Sequence, residues 1–356
     1  MKAMASAEQI RDAAQAIRDG RLVVFPTETV YGLGADARNE EAVARIFAAK
    51  GRPADNPLIV HLESTNLIED VVACLSPVAT ALFERFAPGP LTLVLPAHRS
   101  LPRAVTAGLD TVAVRIPSHP IARALLASCR CPVAAPSANR SGEPSPTTLA
   151  MAQASLARAT GSTADRAAAG GIRDVSYLDG GPCEVGLEST VASVSGSRVV
   201  ILRPGAVSAD DLRQAVPDAE IEDLTGVGRI DRPASPGLKH GHYRPRATVI
   251  AHDPELESLD RLRSRLVRSV ADGSRGVAVI GVSPDAATVA AAVGSLADAN
   301  PTIVREAADV RHYARGLYRW LVELDEEGCD AIVAILPPDG GVGRALRDRI
   351  TRAAGG

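Results

Sequence analysis

Two short apolar runs without a polar break, Leu22-Val23-Val24-Phe25 and Leu58-Ile59-Val60, read as strands buried on both faces. Around them the period of the apolar positions changes. Ile10, Ala13, Ala14 and Ile17 recur at helical spacing, and similar stripes predict helices over 7–19, 40–49, 77–86, 120–129 and 148–158. Runs rich in β-branched residues predict further strands over 91–95, 111–116, 132–135, 190–194 and 199–202, beside those at 22–25 and 58–61. Strand and helix patterns that alternate in this way imply an α/β fold, an open twisted sheet with flanking helices.

From Gly205 to about Arg246 proline and glycine are frequent and apolar periodicity is weak, which predicts a connection rather than packed elements. Beyond it, strands are predicted over 248–251, 277–282 and 331–336, and helices over 256–271, 310–326 and 342–353. Leu317, Trp320, Leu321 and Leu324 sit at the spacing of a core stripe. The pattern gives a larger α/β domain over 1–205, a linker over 206–246 and a smaller three-layer α/β domain over 247–356.

Composition narrows the class without naming a function. With 356 residues and 46% apolar content the chain is long enough for two cored domains. No signal-peptide core and no run of eighteen uncharged apolar residues is visible, so the expected location is the cytoplasm, with no membrane contact. Five cysteines lack metal-type spacing and read as reduced, buried thiols. Residues 1–205 carry 20 Lys plus Arg against 19 Asp plus Glu, and the remainder 19 against 23, so neither half has the basic excess of a nucleic-acid binder. At most weak RNA binding is expected. Only Lys2, Lys50 and Lys239 are lysine against 36 arginines, which suggests that Lys50 and Lys239 stand where a compact ammonium is wanted.

Polar groups gather beside the apolar runs: Pro26-Thr27-Glu28-Thr29-Val30-Tyr31-Gly32-Leu33-Gly34, Lys50-Gly51-Arg52-Pro53 and Asn56-Pro57-Leu58-Ile59-Val60-His61. Further blocks follow in order at Thr111–Pro117 (T-V-A-V-R-I-P), Ala135-Pro136-Ser137-Ala138-Asn139, Gly186-Leu187-Glu188-Ser189-Thr190-Val191 and Leu202-Arg203-Pro204-Gly205. Ser235-Pro236-Gly237-Leu238-Lys239-His240 with His242-Tyr243-Arg244-Pro245 closes the series. Together these blocks resemble the YrdC-type family of threonylcarbamoyl-AMP synthases, in its long, two-domain form. The resemblance implies a YrdC-like catalytic domain with a broad concave sheet face. It also implies an active-site lid in the linker, which would exclude water from a mixed anhydride that hydrolyses readily.

The implied reaction joins L-threonine, bicarbonate or CO2 and ATP. Threonine's amine captures CO2 as a carbamate, whose oxygen attacks the α-phosphorus and expels pyrophosphate. That nucleophile is already anionic, so the site needs cations to gather and stabilise negative groups rather than an activated serine or cysteine. Lys50 and Arg52 are the expected catalytic cations, facing the phosphate chain, with Mg2+ expected on the ATP phosphates and no metal held by the protein alone. Arg115 lies in an apolar strand, where a charge is costly unless paired. Its partner is either an internal Asp or Glu or, as the resemblance implies, the threonine carboxylate. The resemblance further implies that Thr29, His61, Ala135 and Ser189 line the threonine site. It places Asn56, Thr111, Ser137, Asn139, Ser145, Arg203, Lys239 and Tyr243 on the nucleotide. The implied partners are ATP, L-threonine, bicarbonate and the transferase that uses the product on tRNA. Two other classes share the domain: a carbamoyltransferase working through carbamoyl-adenylate, against which the lack of a Cys-rich segment weighs, and a non-enzymatic RNA-binding module.

Overall fold

The computed structural model describes residues 4–158, 175–225, 243–269, 276–294 and 302–355. The chain divides into two compact units, one within Met1–Ser141 and Ser145–His240, the other within Gly142–Pro144 and Gly241–Gly356. The first unit holds strands β1 (Leu22–Phe25), β2 (Gly32–Asp36), β3 (Ile59–His61), β4 (Leu91–Pro96), β5 (Thr111–Arg115), β6 (Val133–Ala134), β7 (Val175–Tyr177), β8 (Thr190–Ser195), β9 (Arg198–Arg203) and β10 (Glu220–Asp223). These form one mixed sheet in the order β10-β9-β8-β4-β5-β3-β6-β2-β1-β7.

Alternation along the strands sorts the core into layers. Val24, Leu33, Ala35, Val60, Leu93 and Val114 point to one face, where α2 (Glu40–Lys50), α3 (Pro77–Phe86) and the helix Leu149–Arg158 bury Val43, Ile46, Leu82 and Leu156 against them. Val23, Phe25, Val133 and Ala135 point to the other face, covered by α1 (Ala7–Arg18) and the helix Pro120–Cys129 through Ile10, Ile17, Ile121 and Leu125. Further along that second face, Ile59, Val94, Ala113, Val191 and Leu202 make a separate small cluster. Local chemistry fixes the helix ends that matter to the site. The Asn39 side chain accepts from Ala42 N at the start of α2, and Gly51, left-handed at φ 58°, ends it, which leaves Lys50 as its last residue.

In the second unit β11 (Thr248–His252), β12 (Val277–Val282), β13 (Ile303–Ala307) and β14 (Ala331–Ile335) form an all-parallel sheet in the order β11-β14-β12-β13. Leu262 and Leu266 of one helix (Leu259–Ser269) and Val289 and Val293 of the next (Asp285–Gly294) pack on one face against Val277, Val279 and Val333. The helix Val310–Glu326 buries Leu317, Trp320, Leu321 and Leu324 as its stripe predicts.

Several features depart from the sequence reading, strands β7 and β13 and the helix Asp285–Gly294 among them, none of which it predicts. Strand β2 lacks an alternating apolar pattern because Gly32 and Gly34 lie under the Phe25 ring; a Cβ on Gly34 would come within 2.8 Å of it and of Val133. Residues read as a bare connection after Gly205 carry a helix (Ala209–Ala215) and strand β10, which pairs in parallel with β9 and extends the first unit's sheet. Cys74 is exposed, whereas Cys129, Cys131, Cys183 and Cys329 are buried, and all five are free thiols. Among the described residues no helix is long and apolar enough to cross a membrane.

Candidate active site

Strand register builds the site. Thr92 on β4 pairs with Arg115 on β5, Arg115 with His61 on β3, and His61 with Val133 on β6. Laterally paired residues share a face, so Thr92, Arg115 and His61 stand on the face of the small apolar cluster and away from the main core. Arg115 is 3% exposed, and its charge is met by a buried carboxylate: Nη2 donates to Glu28 Oε1 at 2.6 Å. Nη1 donates to Thr29 Oγ1 at 2.8 Å and Nε to Gly89 O at 3.3 Å. Of the two partners open to Arg115 from sequence, the internal acid is present, and Glu28 is that acid.

The turn that delivers Glu28 and Thr29 is closed by its own hydroxyls. Thr27 Oγ1 accepts from Thr29 N and Val30 N at 3.2 Å, donates to Val30 O at 2.6 Å, and lies 2.9 Å from Thr29 Oγ1. His61 stands edge-on to Phe25, with ring centroids 5.9 Å apart, and is 4% exposed. Burial, aided by the Arg115 charge, pulls its pKa down to about 3, so the imidazole is neutral at physiological pH. Its Nδ1 is buried and has no hydrogen-bond partner.

This neutrality predicts an acid-sensitive fold. The unfolded His61 titrates near 6.5 and the folded one near 3, so between those values the unfolded chain binds more protons and stability falls as pH drops. Chemical denaturation of a His61→Asn variant across that window is expected to give an acid limb shallower by up to about 1.4 kcal/mol per pH unit. An unchanged slope would refute the assignment.

A second polar cluster lies at the other end of β3. Lys50, 1% exposed, points its ammonium at the turn after β6: Nζ donates to Ser137 O at 2.5 Å and to Asn139 O. Ser141 N returns a bond to Lys50 O at 2.9 Å. Arg52 donates through Nε to Asn56 O at 3.2 Å and through Nη2 to Pro57 O at 2.8 Å. The expectation had both cations facing a phosphate chain. In the structure these bonds go to main-chain carbonyls, and they brace the Ser137–Asn139 turn and the Asn56 loop. Asn56 is 2% exposed and neither its Oδ1 nor its Nδ2 has a partner. Asn56 and His61 stand five positions apart, a span of at most about 18 Å.

The third wall comes from β8 and β9. Arg203 donates through Nε to Ser189 O at 3.1 Å and through Nη2 to Ser189 Oγ at 3.2 Å, and Ser189 Oγ lies 2.7 Å from Thr92 Oγ1. Ser145 Oγ donates to Glu188 Oε1 at 2.5 Å. Ala135 N donates to Ile59 O at 2.9 Å. Thr111 shares the face of Ala113 and Arg115 but stands four residues from Arg115, about 13 Å along the strand. Tyr243 belongs to the second unit: it is 4% exposed at φ 66° and stacks on Tyr318 with centroids 5.1 Å apart, and the Arg349 Cζ lies 5.7 Å from its ring. Lys239 and the rest of 226–242 lie outside the described residues. Glu28, Thr92 and Glu188 are members of the cluster to which the sequence reading gave no role. Glu28 and Glu188 sit inside quoted blocks and Thr92 in the strand predicted over 91–95, but the partner of each is distant in sequence. Among the described residues no three His, Cys, Asp or Glu side chains are grouped to hold a metal ion.

Residues 15–205 match the domain family described as "Telomere recombination", and residues 207–355 the one described as "Threonylcarbamoyl-AMP synthase, C-terminal domain". The chain is similar to the curated threonylcarbamoyl-AMP synthase of Pyrococcus abyssi, 39% identical over 347 residues that cover 98% of this chain and 94% of that one. It is equally similar to the Bacillus subtilis enzyme of that name, 39% identical over 349 residues, with 98% and 93% covered. The crystal structure of P. abyssi Sua5 complexed with L-threonine superposes with a TM-score of 0.82 at 36% identity, over 98% of this chain and 95% of that one. Both domain families, end-to-end identity and a shared whole-chain fold together place the chain in the threonylcarbamoyl-AMP synthase family.

Proposed function

We propose that the protein condenses L-threonine, bicarbonate or CO2 and ATP to L-threonylcarbamoyladenylate and pyrophosphate, the activated intermediate for threonylcarbamoyladenosine formation next to the tRNA anticodon. The observation that carries this reading is the buried Arg115, Thr29 and His61 cluster, in a chain whose fold matches a relative crystallised with L-threonine. Arg115 retains an N–H on each terminal nitrogen for the α-carboxylate. A neutral His61 offers a lone pair to a substrate N–H or O–H without adding positive charge beside the amine, which must lose its proton before it meets CO2.

The step balances simply. The free amine adds to CO2 and releases one proton, the carbamate oxygen forms the bond to the α-phosphorus, and the bond to pyrophosphate breaks. The buried amide of Asn56 and the braced Ser137–Asn139 turn lie at the nucleotide end, where fixed donors favour one phosphate geometry. Mg2+ enters with ATP, as counter-charge on its phosphates. The enzyme works in the cytoplasm, with ATP, and passes its product to a tRNA-modifying transferase. Pyrophosphate release is expected only with ATP, Mg2+, bicarbonate and threonine all present. Release that persists without threonine would refute the reading, and bound ATP with no release would favour carbamoyl transfer from another donor.

A further inference from the structure

We propose that Glu28 is a positioning residue for the threonine carboxylate: it holds the Arg115 guanidinium in the orientation that leaves one N–H on each terminal nitrogen for the substrate. The proposal rests on the synthase reading above. A guanidinium has five N–H donors in a rigid fork. Glu28, Thr29 and Gly89 take one from each nitrogen, so what remains to a ligand is set by where those three partners stand.

Glu28 is built as a permanent partner, and threonine does not displace it. Its Oε2 accepts from Ser118 N at 3.1 Å and its main-chain oxygen from Val185 N at 2.8 Å. The residue is 4% exposed and sits between the two threonines of the Thr27–Thr29 hydroxyl knot. Arg115 and Ser118 N therefore hold the carboxylate, and Val185 N its main chain, before any substrate arrives. Its charge also cancels that of Arg115 inside a buried site. Selection then depends on N–H geometry rather than on attraction of any small anion.

Glu28→Gln separates the two effects. The amide keeps the volume but brings a donor against Ser118 N–H or Arg115 and leaves the guanidinium charge unbalanced. By calorimetry, threonine affinity is expected to fall at least about 10-fold, as for loss of a group that orients a ligand-binding side chain. ATP affinity is expected to hold within about 3-fold, which also reports that the variant is folded. Acetate is expected to compete with threonine more strongly in Glu28→Gln than in the parent. Glu28→Asp keeps the charge but falls one carbon short of spanning Arg115 and Ser118, so it is expected to lose threonine affinity without gaining acetate sensitivity.

Threonine binding by Glu28→Gln as tight as in the parent, or ATP and threonine affinities falling together, would overturn the positioning role. A parent protein that binds no threonine would instead remove the synthase reading, and this proposal with it.

Discussion

Arg115→Leu is expected to cost about 3–5 kcal/mol of folding stability and to abolish measurable threonine binding. The stability loss comes from what is left behind. Glu28 stays 4% exposed with its Arg115 bond gone, and an unpaired carboxylate at such a site is desolvated without compensation. Thr29 Oγ1 and Gly89 O also lose a donor. Replacing both partners, Glu28→Leu with Arg115→Leu, is expected to restore much of the stability, since an apolar pair of similar volume carries no desolvation cost. The double variant is still expected to bind no threonine. Urea denaturation and calorimetry on the three proteins check this. A double variant as unstable as Arg115→Leu would show that the pair's worth lies elsewhere, and threonine binding by either variant would show that Arg115 does not hold the carboxylate.

Gly205→Ala is expected to damage the opposite wall of the site. A Cβ there would lie 2.2 Å from Thr190 N and 2.6 Å from the Ser189 carbonyl carbon, both main-chain atoms with little freedom to move. The clash must displace the Ser189–Thr190 segment, which carries the Ser189 bonds to Arg203 and Thr92 and the Thr190 hydroxyl bond to Val207 O at 2.6 Å. Overpacking of this kind costs about 1–3 kcal/mol, and contact with backbone puts the estimate at the upper end. Gly196→Ala is the control: its φ of 60° disfavours alanine but a Cβ there meets nothing within 4 Å, so a loss of only about 1 kcal/mol and unchanged turnover are expected. Equal loss of activity in both variants would remove the steric account.

Much of the fold was legible because burial and period coincide in it. The runs at Leu22–Phe25 and Val277–Val282 and the helices at Pro77–Phe86 and Pro120–Cys129 carry their patterns uninterrupted. Strand β2 was not legible, since two of its five residues are glycines whose missing side chains make room for Phe25, a residue of another strand. Strand β10 hid for the opposite reason: Glu-Ile-Glu-Asp is an edge strand with half-exposed polar residues and no apolar face to read.

The site divides in the same way. Arg115 advertised itself as a charge in an apolar strand, but its partner is 87 positions away, and only the register of the sheet brings them together. The rarity of lysine pointed to a special role for Lys50, yet its bonds to Ser137 O and Asn139 O depend on where the turn after β6 falls, which no local signal carries. Thr92 reads as a strand residue like any other until Ser189, 97 positions on, is laid beside it.

The most direct test is mass spectrometry of the nucleotide products formed from ATP, Mg2+, threonine and carbon-labelled bicarbonate. The account predicts an adenylate that carries both the label and the threonine mass, absent when threonine is omitted and absent from Arg115→Leu. An adenylate without the label, or a labelled one that forms without threonine, would contradict it.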